Sequence, residues 1–191
     1  MSNRLLTVGP EENAFNTRLT KWINDIPNAV GHKTAGSSFT RAFPDIIGGF
    51  EGVPLYLEQK YARMSENLRD NTIIIGTGCS NPKKRWSDFQ KLWLRKMDEV
   101  LHEKILGGIV GIKGYGDSAH PDLFLGVNQD FVENGFLTTR DVRDIWNGRP
   151  GVQFLEVRWP YEYINAGIEA TPDCLSSLLR EMRTVDTAWQ S

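Results

Sequence analysis

The segment Val53–Tyr61 (VPLYLEQKY) constrains this chain more than any other. Its side chains alternate as those of a strand do: Leu55, Leu57 and Gln59 share one face, and Tyr56, Glu58 and Lys60 share the other. An acid and a lysine therefore stand side by side on one surface. Just upstream, Phe43-Pro44-Asp45-Ile46-Ile47 supplies a second acid directly after a proline. Ile46-Ile47 predicts a strand and Gly48–Gly52 a turn, so the two strands pair as a hairpin. That hairpin carries Asp45 toward Glu58 and Lys60.

Taken singly, each residue has an ordinary explanation. An aspartate after a turn-forming proline is commonly a solvated strand-end acid. A Glu/Lys pair on an exposed sheet edge contributes little energy. The three together are another matter. Hard divalent cations such as Mg²⁺ take oxygen ligands and keep several waters, so one or two carboxylates suffice to hold them. Asp45 and Glu58 offer those carboxylates, and the Gln59 backbone carbonyl a third oxygen. Lys60 is placed to orient an attacking water or to stabilise charge on a pentavalent phosphate. Glu12 is a further ligand or base, provided that its helix packs across the open end of the hairpin.

That helix is legible: Ala14, Phe15, Leu19, Trp22 and Ile23 recur at helical spacing from Glu11 to Asp25, and Pro27 closes the segment. Asn28–Lys33 reads as a short strand, and Thr34–Arg41 as a polar Gly/Ser loop. Thr72–Ile75 predicts a buried strand. Ser87-Asp88-Phe89-Gln90 is a capping box, with Ser87 as N-cap and Gln90 reaching back. The helix it opens runs to about His102 with Phe89, Trp93 and Met97 as a core stripe, and stops before Gly107-Gly108. Ile109–Lys113, Leu123–Val127 and Val152–Arg158 predict strands. A short helix starts at Thr138 or Thr139, and a last one opens at Thr171-Pro172-Asp173. This order predicts an α/β fold with a central mixed sheet flanked by helices.

Pro44-Asp45 with Glu58-Gln59-Lys60 resembles the motif of the PD-(D/E)XK nuclease superfamily. The surroundings resemble its archaeal Holliday junction resolvase branch: an acid on an early helix (Glu12), a Gly/Ser loop (Thr34-Ala35-Gly36-Ser37-Ser38), Pro44-Asp45-Ile46-Ile47, Glu58-Gln59-Lys60, an early helical glutamine (Gln90) and Ile109-Val110-Gly111-Ile112-Lys113, in that order. The resemblance spans residues 10–113. It implies a restriction-endonuclease-like core over residues 1–113, with residues 114–191 as a C-terminal α+β extension packed on it or continuous with it. It also implies Mg²⁺, with Mn²⁺ as a substitute, held by Asp45, Glu58, Gln59 and Glu12. Lys60 would be the catalytic lysine, and a hydroxyl of Thr34, Ser37 or Ser38 would assist, Ser37 foremost. The expected activity is metal-dependent cleavage of DNA, branched DNA foremost, by a homodimer whose two-fold axis pairs two cuts. A flap, single-strand or sequence-specific nuclease of a phage or mobile element is the alternative on the same fold. A non-catalytic DNA-binding or assembly protein is the alternative from another class.

Charge limits the nucleic-acid reading. The formal net charge is −2, whereas a protein that grips many phosphates needs at least a locally basic face. Lys33, Arg41 and the run Lys83-Lys84-Arg85, beside Trp86, are the expected contacts. The histidines His32, His102 and His120 lack zinc-ligand spacing, and His120-Pro121-Asp122 is a second Pro-Asp pair without a following Glu-x-Lys strand. Cys79 and Cys174 form no disulfide framework. With no apolar run of membrane-span length and no signal-peptide core, the expectation is a cytoplasmic protein, or one of the host cytoplasm if viral.

Overall fold

The computed structural model describes residues 10–34, 43–115, 120, 122–148, 154–158, 163–168 and 172–186. The elements are, in order, α1 (Pro10–Asp25), β1 (Ala29–Lys33), β2 (Ile46–Phe50), β3 (Val53–Arg63), β4 (Ile73–Gly76), a 3₁₀ turn (Pro82–Lys84), α2 (Asp88–Val100), β5 (Glu103–Lys113), β6 (Leu123–Val127), α3 (Gln129–Asn134), β7 (Phe136–Thr138), α4 (Thr139–Gly148), β8 (Phe154–Arg158), β9 (Tyr163–Ile168), α5 (Pro172–Glu181) and β10 (Arg183–Val185).

The main sheet runs β1-β2-β3-β5-β6-β9-β8, with β10 beside the first residues of β5. Only the β3–β5 pair is parallel; the other pairings are antiparallel, so the sheet is mixed. β4 and β7 form a small second sheet. The strands after Lys113 join the same main sheet as those before it.

Helices cover both faces. On one, Phe15, Leu19 and Ile23 of α1 and Leu175, Leu178 and Leu179 of α5 pack on Leu55, Leu57, Ile105 and Ile109. On the other, Leu94 of α2, Phe131 of α3 and Val142 of α4 pack with Trp86 on Leu106, Val110 and Leu125. β5 is accordingly apolar along both faces, as a strand sandwiched between helical layers must be. β3 is interior too, and its Glu58 and Lys60 are not on a sheet edge.

Several local expectations change. Gly48 and Gly49 lie inside β2, and the turn is the two residues Glu51 and Gly52, with φ of 51° and 82°. Such a pair matches the twist of a two-residue hairpin. Gly48 is a glycine for another reason: a Cβ there would stand 1.9 Å from the Val30 carbonyl oxygen of the neighbouring strand. α2 ends at Val100, and Gly107-Gly108 lie within β5 rather than marking a break. The last helix, α5, is followed by a short strand, β10, that the sequence did not announce.

The stripe of α2 is also rotated by one position from the expected line. Phe89 is 68% exposed, Trp93 and Met97 are partly buried, and Leu94 is fully buried. The inward place in the first turn belongs to Gln90, whose amide points into the sheet.

Gly107 has φ 149°, and a Cβ on it would meet the Val127 carbonyl oxygen at 2.2 Å. Here β5 exchanges β10 for β6 as its neighbour. Gly107→Ala is therefore expected to cost about 2–4 kcal/mol, from positive-φ strain plus a backbone clash. Urea unfolding would register it as a lowered midpoint.

Candidate active site

Asp45 precedes β2, and Ile46 pairs with Leu57, so the start of β2 falls beside Glu58 and Gln59. There the Asp45 carboxylate takes over from the ladder: its Oδ2 accepts the Gln59 backbone N–H at 2.8 Å. The segment is fixed from the other side by Thr34, whose N–H donates to the Asp45 carbonyl at 2.9 Å and whose hydroxyl donates to the Pro44 carbonyl at 2.7 Å. Of the three hydroxyls, that of Thr34 thus holds the backbone of the motif. Ser37 and Ser38 lie outside the described residues, as does Arg41.

Glu58 is wholly inaccessible and Lys60 is 7% exposed. Both lie on the α2 side of β3, where Tyr56 and Ala62 join the core beneath that helix. Directly across the parallel ladder from Glu58 stands Gly108. A Cβ on it would press on Val127 at 2.7 Å and on the Trp86 indole at 3.2 Å, so the missing side chain gives the indole its place. Trp86 is buried and stacks edge-on with Phe131. It is therefore a core residue and no stacking platform for a base, contrary to its expected place beside a nucleic-acid grip.

The Glu58 carboxyl has two different oxygens. Oε2 accepts the Gln90 side-chain amide, while Oε1 is buried with no hydrogen-bond partner among the described residues. Gln90 serves two roles: its Oε1 accepts the Ser87 backbone N–H at 2.9 Å as the capping-box partner, and its Nε2 holds Glu58. The capping box was legible in the sequence; the hold on Glu58 follows from where α2 packs. Gln59 points to the opposite face, and its side-chain amide is buried with neither atom paired among the described residues.

Burial, and after it the nearby Asp45 carboxylate within hydrogen-bonding reach, push the Glu58 carboxyl well above the usual carboxylate range, against the pull of Lys60 and Gln90. Glu12, in the first turn of α1, is 9% exposed. Its carboxyl is raised by burial and by Asp45, and lowered by the ammonium groups of Lys60, Lys84 and Lys83. The first turn of α1 therefore does reach the open end of the hairpin. One acid from α1, one from the start of β2, and an acid and a lysine from β3 form a single electrostatic group.

Chain comparisons add nothing to this geometry. No protein family, curated protein or solved structure matches the chain.

Of the expected phosphate contacts, Lys33 is exposed at the end of β1 and donates to the Asn13 side chain. Arg85 is exposed, but its Nε donates to the Cys79 carbonyl. Lys84 turns inward, donates to the Tyr61 carbonyl and lies 5.5 Å from the Tyr61 ring centre. The run Lys83-Lys84-Arg85 is thus not one continuous basic surface.

The donor set fits a hard divalent cation. Asp45 and Glu58 adjoin, both are oxygen donors, and Glu58 Oε1 is a desolvated acceptor without a hydrogen-bond partner among the described residues. Among the described residues no three His, Cys, Asp or Glu side chains form a ready-made metal cage. Two carboxylates completed by water is a pattern that Mg²⁺ accepts. Cys79 and Cys174 are both buried, and no disulfide joins them. No helix among the described residues is long and apolar enough to cross a membrane.

Proposed function

We propose that this protein is a metal-dependent endonuclease with a restriction-endonuclease-like core, acting on DNA and on branched DNA first. The observation that carries the reading is the pairing of Asp45 with the fully buried Glu58, whose Oε1 has no hydrogen-bond partner among the described residues, beside Lys60. Two adjoining carboxylates, one of them stripped of water, repel each other, and a divalent cation relieves that repulsion. Phosphodiester hydrolysis is the chemistry such an ion and a neighbouring ammonium serve together.

Asp45 and Glu58 would hold Mg²⁺ with the Gln59 carbonyl as a further oxygen, and Glu12 would serve as an accessory acid beyond the direct ligands. The ion, when bound, supplies Lewis-acid polarisation of the phosphate and a water of lowered pKa. The protein's own groups do the rest. The Gln59 N–H fixes the Asp45 carboxylate, and the Gln90 amide fixes that of Glu58. Lys60 meets charge that builds on the phosphoryl oxygens. Glu12, whose affinity for protons is raised by burial, is the acid suited to exchange a proton with water. A homodimer would supply two such sites for paired cuts.

Gln90 offers a test within the site. Gln90→Ala removes the cap partner and the hold on Glu58, whereas Ser87→Ala removes only the cap. Each is expected to lower stability by about 1 kcal/mol. Gln90→Ala alone is expected to slow cleavage, by about 10–100-fold, as loss of support for a metal ligand does. Thermal melts and single-turnover cleavage of the same two variants separate the effects.

The substrate is tested by offering a four-way junction, a flap, a single strand and a linear duplex at equal concentration with Mg²⁺. Paired incisions at symmetric positions on opposing arms of the junction support the resolvase reading. Preference for the flap or single strand moves the assignment to the other nucleases of this fold. Binding without incision of any of the four would make the protein a non-catalytic DNA binder.

A further inference from the structure

Within the basic run, Lys84 turns inward, into the field of Glu12. Its direction is set by packing on both sides. Asn81 caps the 3₁₀ turn by accepting the Lys83 N–H at 3.0 Å, and the Arg85 N–H closes it on the Pro82 carbonyl at 3.2 Å. Two residues after Lys84, the buried Trp86 anchors the chain against Phe131. The Lys84 ammonium then lies against Tyr61, the residue after Lys60, and shares the field of Glu12 and Lys60.

An ammonium has three donors, and the Tyr61 carbonyl takes one. That partner is neutral. Among the described residues Lys84 forms no ion pair with a carboxylate, although it is half-buried. Burial depresses its proton affinity, with Glu12 opposing and Lys60 reinforcing the effect. A partly desolvated cation without a bonded anion is unfavourable unless an anion arrives. Two lysines in the field of one acid offer their charge to an anion with several oxygens. Arg85, by contrast, spends its Nε on Cys79 and stays at the surface.

We infer that Lys84 is a second phosphate-binding lysine of the site, its ammonium taking a non-bridging oxygen of the phosphodiester that Lys60 also meets. The inference rests on the phosphodiester reading of Asp45, Glu58 and Lys60. It assigns to the turn before α2 a direct part in holding substrate, from outside the two motif strands. A compact ammonium on a fixed turn acts there as a point charge.

The experiment has two arms. In the first, full-length wild type, Lys84→Met and Lys84→Arg cleave a labelled four-way junction and a single strand in Mg²⁺ under single-turnover conditions. Junction affinity is measured beside this in Ca²⁺, and melting temperature for every variant. Loss of a charged hydrogen bond predicts cleavage slower by about 10–100-fold in Lys84→Met. Junction affinity should change less than cleavage, melting should be little altered, and Lys84→Arg should recover part of the rate. Cleavage by Lys84→Met at the wild-type rate would overturn the inference. So would equal losses in both variants with a matching fall in melting temperature, because Lys84 would then be only a structural prop.

The second arm stands apart from catalysis. Lysine labelled with ¹³C at Cε is incorporated, and inorganic phosphate is titrated into the metal-free protein. The Lys84 signal, assigned by its absence in Lys84→Arg, is expected to shift and saturate together with that of Lys60. If wild type cuts no DNA yet both signals saturate, the hydrolytic reading fails and the phosphate site stands. If Lys84 does not respond while Lys60 does, Lys84 is not a phosphate ligand.

Discussion

Asp45→Asn is expected to abolish Mg²⁺-dependent cleavage, lowering the single-turnover rate by about three orders of magnitude, or ~4 kcal/mol of transition-state stabilisation. The substitution is almost isosteric. Its carbonyl oxygen can still accept the Gln59 N–H, which Asp45 accepts at 2.8 Å, so the start of β2 should keep its place. What disappears is one of two negative charges. Glu58 alone, buried and held by Gln90, then faces the ion without its partner. Calorimetric titration with Mn²⁺ should accordingly show binding to wild type and a loss of most of it in Asp45→Asn. A variant that cuts and binds as wild type does would remove Asp45 from the site. A variant that melts far below wild type would show a folding role in place of a chemical one.

Glu58→Gln should have the opposite effect on stability. In the metal-free protein, burial and Asp45 raise the Glu58 carboxyl above its ordinary pKa. A group with a raised folded-state pKa contributes stability that is fully present below the unfolded value, near 4.5, and that is lost as pH climbs through the folded value. The Glu58 carboxyl therefore contributes less and less to the metal-free fold as pH rises above the unfolded value. Glutamine cannot ionise, so metal-free Glu58→Gln is expected to be the more stable protein by about 1–3 kcal/mol at neutral pH. The two should converge as pH falls toward that unfolded value. For a chain of this length each kcal/mol corresponds to roughly 2–4 °C in melting temperature. Mg²⁺ should reverse the order by stabilising wild type and leaving Glu58→Gln nearly unchanged. A wild type that is more stable than Glu58→Gln without metal, at every pH, would show that Glu58 is not a strained carboxylate awaiting a cation.

What the sequence disclosed about this arrangement depends on the range over which each signal acts. The helical spacing of Phe15, Leu19 and Ile23, and the Ser87–Gln90 capping box, are local and reappear as α1 and the start of α2. The alternation in Val53–Tyr61 placed Glu58 and Lys60 on a common face, and they occupy one. Glycine misled twice, because it marks turns and close strand approach alike. Gly48 and Gly107 both sit in strands, where the nearest threat to a Cβ is a neighbouring strand's carbonyl. The elements α3, β7, β9 and β10 gave little warning. α3 is six residues long, and β9 carries asparagine and glycine among its apolar residues; long-range pairing with β6 and β8 makes it a strand.

The site shows the same division. Asp45, Glu58 and Lys60 were legible because two adjacent strands carry them. Lys84 reads in the sequence only as one of the run of basic contacts Lys83-Lys84-Arg85, since nothing within Pro82–Trp86 tells which side chain turns inward; that depends on Trp86 being buried and on Tyr61 offering its carbonyl. Phe89 read as core because the helical stripe could begin at either of two neighbouring positions. Gln90 takes the inner one, and Glu58 is the reason.

The account turns on Lys60 acting beside two metal-holding carboxylates, and one assay tests that most directly. Wild type and Lys60→Ala are incubated with a labelled four-way junction, each with Mg²⁺ and with EDTA, and incision is followed with time. The account predicts incision by wild type in Mg²⁺ alone, and a loss of about a hundredfold or more in Lys60→Ala, whose junction binding in Ca²⁺ persists. Incision that survives EDTA, or that Lys60→Ala performs as fast as wild type, would contradict it.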